Sequence, residues 1–292
     1  MSGLSINSVS QSLSAAHLVQ QTQASLANSL TQLSTGSRIN SAQDDPAGLI
    51  AQEWLRSEIT AGHAAMKNTR MANSMLNVAE SGMRQISNLL IEAKGLAVEA
   101  ANSGAMTPQM IEANQLQMNA ILDSIDRFSA TTNWLGKPLL NGTLSSENGG
   151  ALFQLGQDVV SSQQVSVPIE STQTSRVGNG GGNVLMQLRS GGSASLATNP
   201  MLADSILSAA ISQIAVQRGE IGAVQRYTLD SNINTLQDSL VSLSAAKSII
   251  SDADYAVTVS NSIRDRILLQ SGIQTLGLIN QNRNNAASLL DS

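Results

Sequence analysis

Apolar residues recur at spacings of three, four or seven positions through the first 33 residues, and Ser, Gln and Asn fill most positions between them. This spacing predicts an amphipathic helix at the N-terminus. Its polar face carries no formal charge, because no Asp, Glu, Lys or Arg precedes Arg38. The apolar stripe consists of Val9, Leu13, Ala16, Val19, Leu26, Leu30 and Leu33.

A second apolar stripe lies near the C-terminus, where residues 267–282 also contain no charged side chain. Neither segment alone can bury its apolar face, so we expect the two terminal helices to pair. Uncharged polar faces would also let identical copies stack without accumulating like-charge repulsion. On composition alone, the alternative is two ordinary helices of one bundle. The second stripe consists of Ile263, Ile267, Leu269, Ile273, Leu276 and Ile279.

Further long helices are predicted between these ends. Over residues 45–102, apolar positions alternate three and four apart in a sustained heptad, which indicates a rod packed along its length. Thr107 caps the next helix, and another helical pattern starts near Asn199. The second half of that pattern is out of phase by about one residue, which predicts a stutter near Tyr227. The predicted fold class is mainly α, an elongated antiparallel helical bundle or coiled coil. The heptad positions include Ala72, Leu76, Ala79, Met83, Ile86, Leu90, Ala93, Ala97 and Ala100.

The helical spacing disappears after residue 133. Asn141-Gly142 is a hairpin signal, and a short run of alternating aliphatic residues follows it, so we expect a small β-hairpin region. Residues 178–200 are rich in glycine, which predicts a short, loose surface segment. The alternating aliphatic residues are Val165, Val167 and Ile169.

A polar connector separates the first helix from the second. Gly36 can adopt a positive φ and end the first helix, while Asp45 is a suitable N-cap ahead of Pro46. Capping accounts for Asp44 and Asp45 more simply than acid–base chemistry, because no histidine or apolar cleft is suggested beside them. The two aspartates of residues 252–254 have the same interpretation.

Composition narrows the classes of function. The net charge is −5 and there is no run of Lys and Arg, so we expect no nucleic-acid partner. The absence of cysteine excludes a thiolate nucleophile and a disulfide framework, and His17 and His63 belong to no catalytic or metal-binding motif. We therefore expect neither enzyme activity nor a cofactor. No stretch has the roughly 20 apolar residues of a membrane span and no cleavable signal is recognisable, so no membrane partner is expected and any export would use another route.

Several segments resemble the bacterial flagellins. Residues 33–49 contain Gly-x-Arg-Ile-Asn-Ser-Ala-x-Asp-Asp-x-Ala-Gly, which resembles the characteristic connector of that family. Asp-Ala-Asp-Tyr-Ala at residues 252–256 resembles its C-terminal counterpart. Further matches in the family's order lie at residues 96–98, 101–102, 125–127, 221–225, 244–246 and 266–272.

The resemblance implies a structural subunit of the helical flagellar filament, secreted and exported unfolded through the flagellar export channel. The paired termini would form the inner layer around the central channel, and the heptad helices would form outer rods. The implied parts are residues 1–33 and 252–292 for the inner layer, 34–44 for a connecting spoke, 45–177 with 201–251 for the outer rods, and 178–200 in place of the variable outer domains. The implied spoke residues are Gly36, Arg38, Asn40, Asp44 and Asp45.

The partners implied by the resemblance are other copies of the chain, hook-associated junction and cap proteins, and a flagellar export chaperone. The main rival is a hook–filament junction adaptor, which shares the two-ended helical plan but caps or bridges instead of polymerising. The density of motifs at both ends favours flagellin.

In the flagellin family, an innate immune toll-like receptor contacts the outer rods in a region that corresponds to residues 86–102 and 111–127. Many stimulatory flagellins have arginine where this chain has Glu92, and glutamate where it has Gln117. Lys94 and Leu96 keep related chemistry. The resemblance therefore implies a weak receptor agonist.

Overall fold

The computed structural model describes residues 2–102, 104–180 and 182–290, and it describes no side chains for residues 2–9, 180, 283–284 and 286–290. Within these ranges the chain is mainly helical, with small antiparallel strand pairs, so the predicted mainly α class is confirmed. The helices are α1 (Ser2–Thr35), α2 (Pro46–Ala101), α3 (Pro108–Thr131), α4 (Pro200–Ala223), a π-helical turn (Val224–Leu229), α5 (Asp230–Ser251) and α6 (Tyr255–Leu290). The strands are β1 (Asn133–Trp134), β2 (Lys137–Pro138), β3 (Ala151–Gln154), β4 (Gln164–Val167), β5 (Gly178–Gly180) and β6 (Asn183–Val184).

Two of the helices begin at the caps that the sequence indicates. The Thr107 hydroxyl accepts a hydrogen bond from the backbone N–H of Met110 at 3.3 Å, at the start of α3. The Asn199 side chain accepts one from the N–H of Leu202 at 3.0 Å, at the start of α4. Proline follows each capping residue, in a position where the helix needs no N–H donor.

The chain divides into two compact units. Residues 1–59 and 241–292 form one, which we call the terminal unit, and residues 60–240 form the other, the central unit. The terminal unit is larger than the predicted inner layer because it also contains the first residues of α2 and the last residues of α5.

The core of the central unit follows the predicted heptad. All nine heptad positions that the sequence indicates between Ala72 and Ala100 are buried, with exposures of 2% or less. They pack with buried residues of α3 and α4 into one cluster. Leucine, isoleucine and methionine at these positions, with alanine where helices approach closely, produce a core that contains few aromatic rings.

The predicted stutter is confirmed as the π-helical turn between α4 and α5. Ile221 and Leu229 are both buried although they are eight residues apart, one more than a heptad. A π-helical turn accommodates one additional residue, so the apolar face of α5 stays in phase with that of α4. Gln225 in this turn donates hydrogen bonds to Asn73 at 2.8 Å and Asn77 at 2.9 Å.

The β region is present, but its tight hairpin turn is not where the sequence indicates. β1 and β2 are joined by Leu135 and Gly136, which both have positive φ angles. At the predicted position, the Asn141 side chain accepts a hydrogen bond from the N–H of Thr143 at 3.1 Å, which stabilises a turn within a loop. The prediction was wrong because an asparagine followed by glycine also suits a turn without flanking paired strands.

The glycine-rich segment is more ordered than the predicted loose surface segment. After the β5–β6 hairpin, Leu185, Leu188 and Leu196 enter the core of the central unit. Arg189 forms ion pairs with Asp123 and Asp126 of α3. The hydrogen bond to Asp123 raises the pKa of Arg189, so its guanidinium stays charged. Burial of the aliphatic residues between the glycines offsets the conformational entropy that is lost when this segment becomes ordered.

Candidate assembly interface

The connector between α1 and α2 is tied to the junction between α5 and α6. Gly36 adopts a φ of +70°, and its carbonyl accepts a hydrogen bond from the N–H of Ala253 at 3.0 Å. The N–H of Arg38 donates to the carbonyl of Ser251 at 2.7 Å, and its guanidinium donates to the carbonyl of Ile250, also at 2.7 Å. A cation at the last carbonyls of α5 also complements the helix dipole. Gly36 and Arg38 therefore hold the two ends of the chain side by side.

Asn40 and Asp44 close a tight turn in the same connector. The Asp44 carboxylate accepts backbone hydrogen bonds from Asn40 at 2.9 Å and Ser41 at 2.8 Å. These two bonds lower the pKa of Asp44, because they stabilise its ionised form. The Asn40 amide donates to the carbonyl of Ser37 at 2.8 Å. Asp44 is thus a capping residue, although it caps this turn and not a helix.

Asp45 is the N-cap of α2, as its sequence position indicates. Its carboxylate accepts a hydrogen bond from the N–H of Gly48 at 2.9 Å. A Cβ atom at position 48 would lie 2.6 Å from the Cδ1 atom of Ile39, which is itself buried. The carboxylate of Asp45 would be equally close, so any larger residue at position 48 would require the side chains of Asp45 and Ile39 to move.

The two aspartates before α6 have different roles. Asp254 is an N-cap, since its carboxylate accepts a hydrogen bond from the N–H of Val257 at 3.1 Å. Asp252 accepts hydrogen bonds from the hydroxyls of Ser248 and Ser251. The capping interpretation therefore holds for Asp254, while Asp252 stabilises the end of α5.

α1 and α6 pack against each other in antiparallel orientation. Ser25 lies beside Asp265, and a Cβ atom at Gly272 would lie 2.7 Å from the side chain of Val19. Partly or fully buried positions alternate three and four apart along both helices and define what we call the terminal seam. The terminal seam consists of Ser12, Ala15, Val19, Thr22, Leu26, Ser29 and Leu33 in α1, and of Thr258, Ser262, Asp265, Leu269, Gly272, Leu276 and Ile279 in α6.

Only part of the predicted apolar stripe lies in this seam. Among the predicted assembly residues, Leu26, Leu33, Leu269 and Leu276 are seam residues. Leu13, Leu30, Ile263, Ile267 and Ile273 are exposed, and the side chain of Val9 lies outside the described residues. None of the described helices is long and apolar enough to cross a membrane.

Sequence reasoning missed the small and polar members of the seam. Thr258, Ser262, Asp265 and Gly272 continue a strict three-and-four alternation, but a search for apolar residues passes over them. Apolar residues outside the alternation were also missed. Leu18, Leu268 and Leu278 are exposed beside or opposite the seam.

A groove of about 310 Å³ runs along the α1–α6 pair, and Gly272 is one of its lining residues. Exposed Leu18 and Leu268 stand beside it, and Ala15, Val19 and Thr22 are among its other lining residues. An apolar groove of this kind, flanked by exposed leucines, is typical of a protein–protein contact surface.

The four residues of the implied receptor surface differ in accessibility. Glu92 and Gln117 are exposed on α2 and α3. Lys94 donates a hydrogen bond to Ser208 at 2.9 Å and lies 3.8 Å from Asp204. Leu96 is 8% exposed and packs against the core, so it offers the least side-chain surface of the four. Its position on the buried side of α2 follows from the packing of neighbouring helices.

Comparisons with known proteins agree with this arrangement. The N-terminal helical region of bacterial flagellins matches residues 6–145, and the C-terminal helical region matches residues 205–290. The first match contains the connector and most of α1, and the second contains α6. Both halves of the terminal seam thus lie within family-matched sequence.

Two flagellins are similar over most of their length. A flagellin of Bacillus subtilis (strain 168) is 31% identical over 280 residues, which cover 89% of this chain and 91% of that protein. Flagellin FlaB1 of Treponema pallidum (strain Nichols) is 25% identical over 291 residues, which cover 98% of this chain and 99% of that protein.

A solved structure of a flagellar hook-associated protein from Vibrio parahaemolyticus has a TM-score of 0.58 and 18% identity. The structural match covers 71% of this chain and 99% of the hook-associated protein chain. At this identity the likeness shows the fold alone. Because the two flagellin regions together match well over half of the chain, and a flagellin exceeds 30% identity over most of both sequences, this chain belongs to the bacterial flagellins, the subunits of the flagellar filament.

Proposed function

We propose that copies of this flagellin polymerise through the apolar residues of α1 and α6 that the terminal seam leaves exposed. The observation that carries the proposal is the division of the predicted stripe between two surfaces. Leu26 and Leu276 are partly covered by the opposite helix, whereas Leu13 is 66% exposed and Ile267 is 61% exposed. Removing such side chains from water on association contributes about 25 cal/mol per Å² of apolar surface.

The charge distribution supports close packing of copies at this surface. α1 contains no Asp, Glu, Lys or Arg, and α6 has none between Arg266 and Arg283. Like charges would otherwise face one another at every repeat of a polymer of identical subunits. Hydroxyl and amide side chains can exchange hydrogen bonds across such contacts without that repulsion.

The test is polymerisation of the variants Leu13→Ser with Leu30→Ser, and Ile263→Ser with Ile267→Ser. Each pair removes exposed apolar surface and leaves the seam residues unchanged. We expect filament yield, measured by sedimentation and electron microscopy, to fall at least tenfold at equal protein concentration.

The matched control is Val159→Ser in the central unit, where the side chain is 85% exposed. This variant should polymerise like the parent protein. Normal filament yield from both terminal variants would contradict the proposed surface, while equal loss in the control would show that exposed apolar residues matter without regard to position.

The same microscopy distinguishes a filament subunit from a junction adaptor. A filament subunit forms long tubes under polymerising conditions, whereas an adaptor forms short caps or stays monomeric. The exposed residues on both terminal helices favour tubes, because each copy offers apolar surface on two helices to its neighbours.

We further propose that the chain is exported unfolded to the cell exterior. We also propose that its partners are an export chaperone, junction proteins and a cap protein. The many exposed apolar residues of α1 and α6 support an export route in which the ends are unpaired, because their pairing buries only part of their apolar surface. Expression in a motile bacterium without its own flagellin tests this. The protein should appear outside the cell, and its retention inside would contradict export.

The receptor surface of Glu92, Lys94, Leu96 and Gln117 also stays a proposal, and its accessible side chains carry it. Glu92 and Gln117 are accessible, and Lys94 is partly accessible beside Ser208. We propose that this monomer is a weak agonist of a toll-like receptor, because Glu92 and Gln117 differ in charge from the residues of many stimulatory flagellins.

A further inference from the structure

Asp265 has an unusual position for a charged residue. The residue is 6% exposed, and it is the one buried Asp, Glu, Lys or Arg among the described residues. Charged side chains are rarely buried unless they are paired, because they lose their hydration. The carboxylate accepts a hydrogen bond from the Ser25 hydroxyl at 2.7 Å, and Arg264 of the same helix lies 3.9 Å away. Among the described residues, the hydrogen bond to this carboxylate across the terminal seam comes from Ser25 of α1.

The two sides of the seam differ in their capacity to pair with themselves. Leu269, Leu276 and Ile279 make the distal half of the α6 seam strongly apolar, and Gly272 between them permits close approach. Such a sequence would suit pairing with a second α6 helix. Polymerisation brings α6 helices of many copies close together, so tethering within one chain does not by itself exclude such pairs.

We propose that Asp265 is the specificity-determining residue that makes α6 pair with α1 and prevents it from pairing with another α6. The context of crowded α6 helices rests on the proposed polymerisation. In a parallel α6 pair, two Asp265 carboxylates would face each other. In an antiparallel pair centred on Gly272, each would face the region of Ile279. Neither arrangement supplies the hydroxyl of Ser25, so a charge would be buried without a hydrogen-bond donor across the seam.

A pair of introduced thiols can report both kinds of pairing. The chain has no cysteine of its own, and position 272 approaches the side chain of Val19 closely. In a full-length chain carrying Val19→Cys and Gly272→Cys, a disulfide within one chain between positions 19 and 272 reports the α1–α6 pair. A disulfide between the two 272 positions of different chains reports an α6–α6 pair. Filaments are removed by sedimentation after mild oxidation, and the soluble disulfides are quantified by mass spectrometry of peptides.

The parent reporter should form mainly the disulfide between positions 19 and 272. Adding Asp265→Leu should raise the ratio of 272–272 disulfides to 19–272 disulfides by about tenfold or more, because an apolar residue is accommodated in either pair. Ser25→Ala should lower the yield of the 19–272 disulfide, since it leaves the carboxylate of Asp265 without its donor. Combining both substitutions should restore that yield and keep the raised ratio.

Arg266→Leu is the matched control. It makes the neighbouring, exposed position apolar and removes a charge from the same helix. It should leave the ratio of the two disulfides unchanged, because position 266 is outside the terminal seam. An equal rise in this control would assign the effect to the general character of α6 and overturn the proposal.

The proposal is also overturned if Asp265→Leu leaves the ratio unchanged, or if the parent reporter forms no 19–272 disulfide. These results are separate from a failure of polymerisation, which is read from the sedimented filaments. A parent chain that forms no filaments but shows the expected disulfide ratios would contradict the proposed function alone.

Discussion

The central unit and the terminal unit use the same heptad spacing but fill it differently. In the central unit, Leu76 and Leu90 of α2 are completely buried in a continuous aliphatic core. In the terminal seam, comparable positions hold Asp265 and Gly272. The aliphatic side chain of Ile267, outside the seam, remains exposed. The same periodicity therefore produces a closed core in one unit and a partly covered helix pair in the other.

The difference shows how a subunit can be folded and incomplete at once. A seam filled by leucine, methionine and alanine satisfies its apolar surface within one chain. Under the proposed assembly, a seam with Ser, Thr, Asp and Gly, flanked by exposed aliphatic residues, gains further stability when a neighbouring copy covers those residues. If the two units differ in this way, changes to each should have different consequences.

The largest expected effect is the loss of polymerisation when residues 1–37 are deleted. The deletion removes α1 and thus half of the terminal seam, while the central unit keeps its whole buried core. The product should be a soluble helical protein by circular dichroism and should form no filaments by electron microscopy. Long filaments from this truncation would contradict the distinction between the two units.

The next effect compares two leucines of equal size. Leu90→Ala should lower the free energy of unfolding of the central unit by about 2–5 kcal/mol, because it creates a cavity in a fully packed core. Leu276→Ala in the terminal seam should lower the free energy of unfolding of the terminal unit by less than about 1 kcal/mol, since that side chain is only partly buried. Urea denaturation of dilute monomer measures both. Equal losses would show that the terminal seam is as well packed as the central core.

The proposed receptor surface on α2 and α3 of the central unit can be tested with a variant that should activate the receptor more strongly. The double variant Glu92→Arg with Gln117→Glu should increase potency toward the toll-like receptor by about tenfold or more, because two charged contacts would be restored. A receptor-reporter titration with purified monomers gives the measurement, and Leu13→Ser serves as a control far from these positions in sequence. Full potency of the unmodified monomer would show that positions 92 and 117 do not govern recognition.

Two glycines of α2 should respond in opposite directions to alanine. A Cβ atom at Gly48 would overlap Ile39 in the connector, whereas a Cβ atom at Gly95 would meet no atom within 4 Å. Gly48→Ala should destabilise by about 1–3 kcal/mol through overpacking, and Gly95→Ala should stabilise by about 0.5–1 kcal/mol through helix propensity. Thermal melting of filaments should therefore shift down for the first and up for the second. A shift of both in one direction would contradict the steric role of Gly48.

The smallest effect concerns the pH dependence of the connector turn. Hydrogen bonds from Asn40 and Ser41 lower the pKa of Asp44 below its ordinary value of 3.8. The folded state therefore gains stability from this group above pH 3.8, and loses it as the pH falls through the lowered folded-state pKa. Amide chemical shifts of Asn40 and Ser41 should titrate with a midpoint below 3.8, and Asp44→Asn should abolish the titration. A midpoint at or above 3.8 would contradict these two hydrogen bonds.

Much of the fold could be predicted because it depends on local spacing and local caps. The heptad of α2, the caps at Thr107 and Asn199, and the irregular turn near Tyr227 all follow from residues within a few turns of one another. The hairpin at Leu135 and Gly136 could not be predicted in this way. Its backbone geometry depends on the pairing of β1 with β2, and Leu135-Gly136 is not one of the dipeptides that indicate a tight hairpin turn.

The helices, their caps, the uncharged character of the ends and the resemblance to flagellins all follow from neighbouring residues in the sequence. Tertiary packing determines which side of each helix is covered. It placed Leu96 in the core, left Ile267 in water and buried Asp265 against Ser25. An aliphatic stripe specifies that a helix needs a partner, but the angular position of that partner determines which residues are enclosed and which remain for the next subunit.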